Sequence, residues 1–193
     1  MNLRRLVIVL CMIFIHAAMG SAEPPSSMCA DGFCFPDKAE VDGVSLTLRG
    51  VSTFRYWGFR VYTGALYAPT PVNSPSGIRE DIAKKLVLRY HRSVSVDQFV
   101  ENSQETLVQD PQLSLEQLRP FLSRINSLYV PVREGDTYAI TYNPTQSTLR
   151  LFFNERLLGE IKSREFARAY FGIWVSDYSV SDKFTDELLG IER

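Results

Sequence analysis

Histidine is nearly absent: the chain carries two, His16 and His91, and His16 lies in the apolar N-terminal stretch. A Ser/His/Asp hydrolase would have to be built on His91, and no nucleophile-elbow sequence stands anywhere to partner it. The plainer reading of His91 is a strand-end residue with a local partner or solvent. Cysteine is scarce as well, three in all. Past Cys11 there remain Cys29 and Cys34, too few beside one histidine for the four ligands that a structural zinc takes. Their Cys-x4-Cys spacing also differs from the Cys-x-x-Cys of a redox pair. The glycines are dispersed, with no Gly-x-Gly-x-x-Gly and no Walker-type loop, so no phosphate cradle is expected. No basic run longer than Lys84-Lys85 occurs, which argues against nucleic acid as a partner. These absences leave no cofactor and no metal to expect. Long apolar runs are missing too, except at the start.

There, Arg4 and Arg5 precede an apolar run from Leu6 to Ala18, and Gly20-Ser21-Ala22 places small residues at cleavage-type positions. That is the pattern of a secretory signal, residues 1–22, cut near Ala22. The run is broken by His16 and falls short of the roughly 20 apolar residues of a transmembrane helix. The residues before Cys11, Val9-Leu10, lack the small residue of a lipoprotein signal. The reading is an exported protein, with the periplasm as the favoured destination and no transmembrane segment in the mature chain. Of 193 residues, 22 would leave with the signal and 171 remain, enough for one domain with a sizeable core. The signal takes away two arginines and no acid, so the formal charge moves from −1 to −3. In an oxidising compartment Cys29 and Cys34 can pair as a disulfide across a turn at Asp31-Gly32; a metal clip or a redox pair are the lesser alternatives. Nothing in the sequence sets the oligomeric state.

Residues 23–38, rich in Pro, Ser and Cys, read as a linker or loop tied by that disulfide, ahead of a domain over 39–193. After the turn signal Asp42-Gly43, the residues Val44, Leu46 and Leu48 alternate with polar ones, the period of a half-buried strand. A second strand is expected over Phe54 to Ala68, stopped by Pro69 and Pro71, with Tyr62 sharing a face with Arg60 and Gly64. A short helix over Ile78 to Ala83 and a strand over Lys85 to Arg92 follow. Ser95 can cap a helix carrying Val96, Phe99, Val100 and Leu107 on one stripe. A second helix follows Ser114, with a kink or new first turn at Pro120. Strands return after Glu134-Gly135-Asp136, turn at Asn143-Pro144 and close with Leu157 to Ile161; two helices end the chain, the last capped by Gly190. Grouped strands and helices of this kind predict an α+β fold, an antiparallel sheet covered on one face by a layer of helices. The aromatic cluster Tyr56, Trp57, Phe59, Tyr62 and Tyr67 reads mostly as core.

The stretch Gly50-Val51-Ser52-Thr53-Phe54-Arg55-Tyr56-Trp57-Gly58-Phe59-Arg60-Val61-Tyr62-Thr63-Gly64-Ala65-Leu66-Tyr67 resembles the corresponding segment of bacterial chalcone isomerase-like proteins. The tail from Phe166, with Gly172-Ile173-Trp174 and Leu188-Leu189-Gly190, is similar to that family's closing helices. The resemblance covers most of residues 39–191 and implies the family fold, a large antiparallel sheet and a helical layer with a cleft between them. Plant members cyclise a chalcone by adding a phenolate oxygen to an enone. The resemblance therefore implies a role for Arg55 in holding that phenolate and stabilising developing enolate charge. The family threonine falls at Tyr62, whose phenol still donates a hydrogen bond. The family tyrosine falls near Ser95, its asparagine at Asn102, and its last hydroxyl at Ile173, which cannot hydrogen-bond.

Each of these residues has a plainer reading: Arg55 as a surface arginine before a strand, Tyr62 as sheet packing, and Asn102 as solvent-facing, about 120° off its helix's apolar stripe. The hydroxyls lost and the arginine kept imply a pocket for a small amphipathic or anionic ligand such as a fatty acid. Arg55 and Tyr62 would grip its carboxylate, without isomerase activity. The alternative is an isomerase, an intramolecular lyase acting on a phenolic enone, with Arg55, Tyr62 and Asn102 as its catalytic groups.

Overall fold

Period-two alternation builds a meander whose spatial order is the chain order. A computed structural model of the protein describes residues 26–69, 72 and 74–191, so the expected signal and its cleavage near Ala22 lie outside the described residues. Seven strands form one sheet, every neighbouring pair antiparallel: β3 (Lys38–Val41), β4 (Val44–Tyr56), β5 (Phe59–Ala68), β6 (Lys84–Tyr90), β7 (Thr137–Asn143), β8 (Thr148–Phe153) and β9 (Arg156–Lys162). Between β5 and β6 comes α1 (Pro75–Arg79), between β6 and β7 come α2 (Val96–Val108) and α3 (Leu115–Asn126), and α4 (Arg164–Gly172) and α5 (Asp182–Leu189) end the chain. The α+β architecture is the one expected.

The helix limits follow from local chemistry. Ser95 accepts from the Gln98 N–H while the Gln98 side chain accepts from the Ser95 N–H, a reciprocal capping box that starts α2. Ser114, Ser163 and Ser181 cap α3, α4 and α5 in the simpler way, and Gly190 ends α5 at φ +67. The α3 helix runs through Pro120 rather than restarting there. The short helix begins and ends earlier than periodicity implied, at Pro75–Arg79, because Ser74 caps it and Pro75 occupies its first turn.

Residues 27–36, read as loop, form a hairpin of β1 (Ser27–Ala30) and β2 (Phe33–Pro36) with Phe35 buried at 5% exposure. Cys29 and Cys34 face each other in its register and are joined as the expected disulfide. Its turn places Asp31 and Gly32 at φ 47 and 87, the paired left-handed geometry that a two-residue hairpin loop requires. The expected single strand from Phe54 to Ala68 is instead two, because Trp57 and Gly58 turn the chain at φ 51 and 82.

Each sheet face carries its own apolar cluster. Leu66, Leu86, Leu88, Ile140, Leu149 and Leu151 meet the helices; Leu46, Leu48, Ala65 and Tyr67 meet Phe35 on the other face. A register shift between Leu48 and Gly50 changes which residues of β4 point where. Beyond it Gly50, Ser52 and Phe54 turn toward α5: a Cβ on Gly50 would lie 2.1 Å from the Glu187 carbonyl oxygen, and Ser52 Oγ donates to Glu187 Oε2 at 2.6 Å. That close approach seats Phe184, 2% exposed, against Phe54 and Tyr62. Burying such a ring contributes about 2–3 kcal/mol.

Candidate functional site

Between the helix-facing side of the sheet and the helical layer lies an open cleft of about 960 Å³. Its walls come from β5 (Tyr62), β6 (Leu88, Tyr90), β7 (Tyr138), α2 (Phe99) and the segment after α4 (Ile173, Trp174). Strand alternation explains the sheet side, since Leu88 and Tyr90 are two apart on β6 and share a face.

The hydrogen bonds of the tyrosines sort them into two groups. Tyr138 Oη donates to the Val130 carbonyl and accepts from the Val130 N–H, both at 2.8 Å, while the Tyr129 and Tyr170 hydroxyls bond each other. Tyr138 is thereby spent on the fold, and the Tyr129–Tyr170 pair uses one of its two protons internally. Tyr62 Oη accepts from Trp174 Nε1 at 3.2 Å, which leaves its own O–H free to donate. Tyr90, 3% exposed, lines the cleft with its hydroxyl unpartnered among the described residues. The two rings meet edge to face with centroids 5.5 Å apart. Burial pushes both phenols well up from their ordinary value of 10.0, so each holds its proton at neutral pH and is a donor, not a base. Two uncommitted O–H groups in one aromatic wall suit an oxygen acceptor, a carboxylate or a carbonyl.

The charges lie elsewhere. Among the described residues Arg92 is the cation that lines the cleft; it is exposed, with its guanidinium 6.0 Å from the Phe59 ring centroid. Glu101 and Glu105 of α2 line it as well.

Arg55 is not at the base of this cleft. It stands on the opposite face of β4, with its side chain 47% exposed and its guanidinium paired with Asp31 at 2.8 Å. The reason lies in the register: past the shift in β4, Gly50, Ser52 and Phe54 face the helices, so Arg55 points away, toward the disulfide-bonded hairpin. Arg60 joins Asp31 at 3.4 Å. The Thr53 hydroxyl first, and then the Arg55 and Arg60 charges, hold the Asp31 carboxyl below the usual carboxylate range. His91 belongs to this outer cluster, bonded through Nε2 to Thr63 Oγ1 at 2.8 Å and stacked on Phe33 at 4.5 Å. Burial and the neighbouring Arg60 lower its pKa. It has the local partner expected of a strand-end histidine.

The other expected positions divide. Tyr62 lines the cleft, Asn102 is an exposed residue of α2 on its lining, Ile173 is buried in its wall, and Ser95 is the cap of α2. Tyr62 and Asn102 share the cleft; Arg55 does not join them. Tyr90 and Trp174 were missed as site residues, since each looks like ordinary apolar alternation and only the tertiary contacts bring them to Tyr62. The aromatic cluster also needs correcting: Tyr62 and Tyr67 are buried, but Tyr56, Trp57 and Phe59 are 63%, 85% and 67% exposed. They sit at the β4–β5 turn, where no second layer among the described residues covers them.

A smaller pocket of about 290 Å³ includes Lys84. The Lys84 ammonium caps α1, donating to the carbonyls of Ile78 at 2.5 Å and Glu80 at 2.8 Å, and burial lowers its pKa to about 8. Among the described residues no group of three or more His, Cys, Asp or Glu could hold a metal ion, and no helix is long and apolar enough to cross a membrane.

The family model described as chalcone isomerase-like matches residues 27–190. Among solved structures, a fatty-acid binding protein from Arabidopsis thaliana is similar, at 17% identity and a TM-score of 0.65, over 85% of this chain and 96% of that one. Among curated protein sequences none matches.

Proposed function

We propose, from the premise that this chain belongs to the chalcone isomerase-like family, that it is a binding protein for a small amphipathic, fatty-acid-like ligand. The observation that carries this reading is the pair of uncommitted hydroxyls, Tyr62 and Tyr90, set beside the apolar side chains of Leu88, Phe99, Ile173 and Trp174 in the cleft. The ligand's oxygen would accept from both phenols, and its apolar body would lie along Leu88, Phe99 and Ile173. Asn102, on the lining, would meet the part of the ligand nearest solvent. Arg55, turned outward to Asp31, stays outside the grip. Arg92, exposed on the cleft lining, is offset there by Glu101 and Glu105, and an unpaired charge is costly to desolvate, so the cleft should take a neutral carbonyl or hydroxyl at Tyr62 and Tyr90 at least as readily as a carboxylate. The similarity to a fatty-acid binding protein supports this class of ligand.

The disulfide between Cys29 and Cys34 fits an exported protein. The reading therefore includes export through residues 1–22, with the periplasm as destination, and one domain thereafter.

Calorimetric titration with a medium-chain fatty acid and with its alcohol tests the proposal: saturable binding at one ligand per chain is expected for both. Absence of binding to either would overturn it. A second reading rests on the same two hydroxyls, which would also stabilise the enolate oxygen formed when a phenolic enone cyclises. Cyclisation of a chalcone above its spontaneous rate, lost in Tyr90→Phe, would promote that reading over simple binding.

A further inference from the structure

The β4–β5 turn carries three large aromatic side chains into solvent: Tyr56 at 63%, Trp57 at 85% and Phe59 at 67% exposure. Large apolar groups clustered in the open are the informative exception on a protein surface. The backbone holds them there under strain, since Trp57 sits at φ 51, where a two-residue hairpin loop favours Asn, Asp or Gly and a bulky residue is a rare outlier. Among the described residues none buries these rings as core.

Arginines stand beside them. Arg55 and Arg60, 47% and 48% exposed, share the single carboxylate of Asp31, and Arg92 approaches the Phe59 ring. Three guanidiniums thus stand close to the tip. The cleft that these rings line also carries two acids, Glu101 and Glu105 of α2. Trp, Tyr and Phe rings backed by arginines match the membrane–water interface, where rings enter the headgroup layer and guanidiniums meet lipid phosphates. We infer that the Tyr56–Phe59 tip docks on the surface of a bilayer containing anionic phospholipid. Tyr56, Trp57, Phe59 and Arg92 also line the cleft, so docking would set the cleft mouth at headgroup level. There an amphipathic ligand can pass between lipid and protein without crossing water. The docking needs only the tip; the passage of ligand rests on the binding reading above.

The test expresses the chain with its own leader and mixes the purified protein with phosphatidylglycerol or phosphatidylcholine vesicles. Co-sedimentation and tryptophan emission are then measured. Trp57 and Trp174 are the two tryptophans, and Trp174, 9% exposed, supplies a constant background. Binding to phosphatidylglycerol with a blue shift, weakened by salt and weaker on phosphatidylcholine, is expected. Replacing Tyr56, Trp57 and Phe59 together by serine should lower partitioning at least about tenfold, with the circular dichroism spectrum unchanged. Should that variant not fold, Trp57→Gly, which also relieves the strained turn, should still lower it several-fold. Three results would overturn the inference: a native protein that stays in solution, a tip variant that partitions within about twofold of native, or a vesicle-free dimer that the tip variant converts to monomer. The double variant Tyr62→Phe with Tyr90→Phe should keep its vesicle binding. If the native cleft takes up no ligand while tip-dependent sedimentation persists, the binding reading fails and the docking stands.

Discussion

Replacing Tyr90 by phenylalanine should separate what the cleft does from what the fold needs. Its hydroxyl has no partner among the described residues although the residue is 3% exposed, so its removal breaks no hydrogen bond of the fold. The unfolding free energy should change by less than about 0.5 kcal/mol, because the cost of losing a hydrogen bond arises when a buried partner is left unsatisfied. Tyr62→Phe is the control of opposite sign. It strips Trp174 Nε1 of its 3.2 Å acceptor and should destabilise by about 1–2 kcal/mol. Ligand binding should respond differently. A hydrogen bond from Tyr90 to a neutral carbonyl is worth about 1 kcal/mol, or about fivefold in affinity, and one to a carboxylate is worth about 1.5–3 kcal/mol, which is more than tenfold. Urea unfolding and displacement of a fluorescent fatty-acid probe read the two effects on the same preparation. A Tyr90→Phe protein destabilised by more than about 1 kcal/mol, or one that binds the probe as tightly as the native chain, would refute the reasoning.

Other outcomes follow from the same structure. Arg55→Ala should leave ligand affinity unchanged and cost less than about 1 kcal/mol by denaturant unfolding, since it breaks an exposed ion pair with Asp31. Gly50→Ala should be severe, lowering the thermal midpoint by many degrees, because its Cβ would meet the Glu187 carbonyl oxygen at 2.1 Å and the Leu188 carbonyl oxygen at 2.8 Å. In alkali, Tyr62, Tyr90, Tyr129 and Tyr170 have pKa values raised by burial above 10.0. The unfolded chain releases those protons from about pH 10 while the folded one keeps them, so stability is whole below that value and falls as pH rises past it. Absorbance at 295 nm should therefore show these tyrosines ionising only together with loss of the fold.

Much of the fold was legible because it is local. Asp31-Gly32 and Asp42-Gly43 mark real hairpin turns, Ser95 and Ser114 mark real helix starts, and Gly190 ends the last helix. The turn at Trp57-Gly58 was not, since tryptophan is a poor signal for a left-handed residue and the aromatic run around it imitates one buried strand. Of the residues singled out in the sequence, Tyr62 and Asn102 line the cleft and Arg55 does not. A register shift in β4 leaves no mark on hydrophobic periodicity, yet it decides that Phe54 faces the helices and Arg55 the hairpin. Tyr90 and Trp174 reach Tyr62 from β6 and from the segment after α4, a convergence that depends on how distant elements pack.

Native mass spectrometry tests the account most directly, on the protein expressed from its full sequence and purified without detergent. The account predicts one small amphipathic molecule retained per chain, retained equally by Arg55→Ala and lost by the Tyr62→Phe, Tyr90→Phe double variant. A bare polypeptide mass after incubation with fatty acid, or a bound molecule that survives the loss of both hydroxyls, would contradict it.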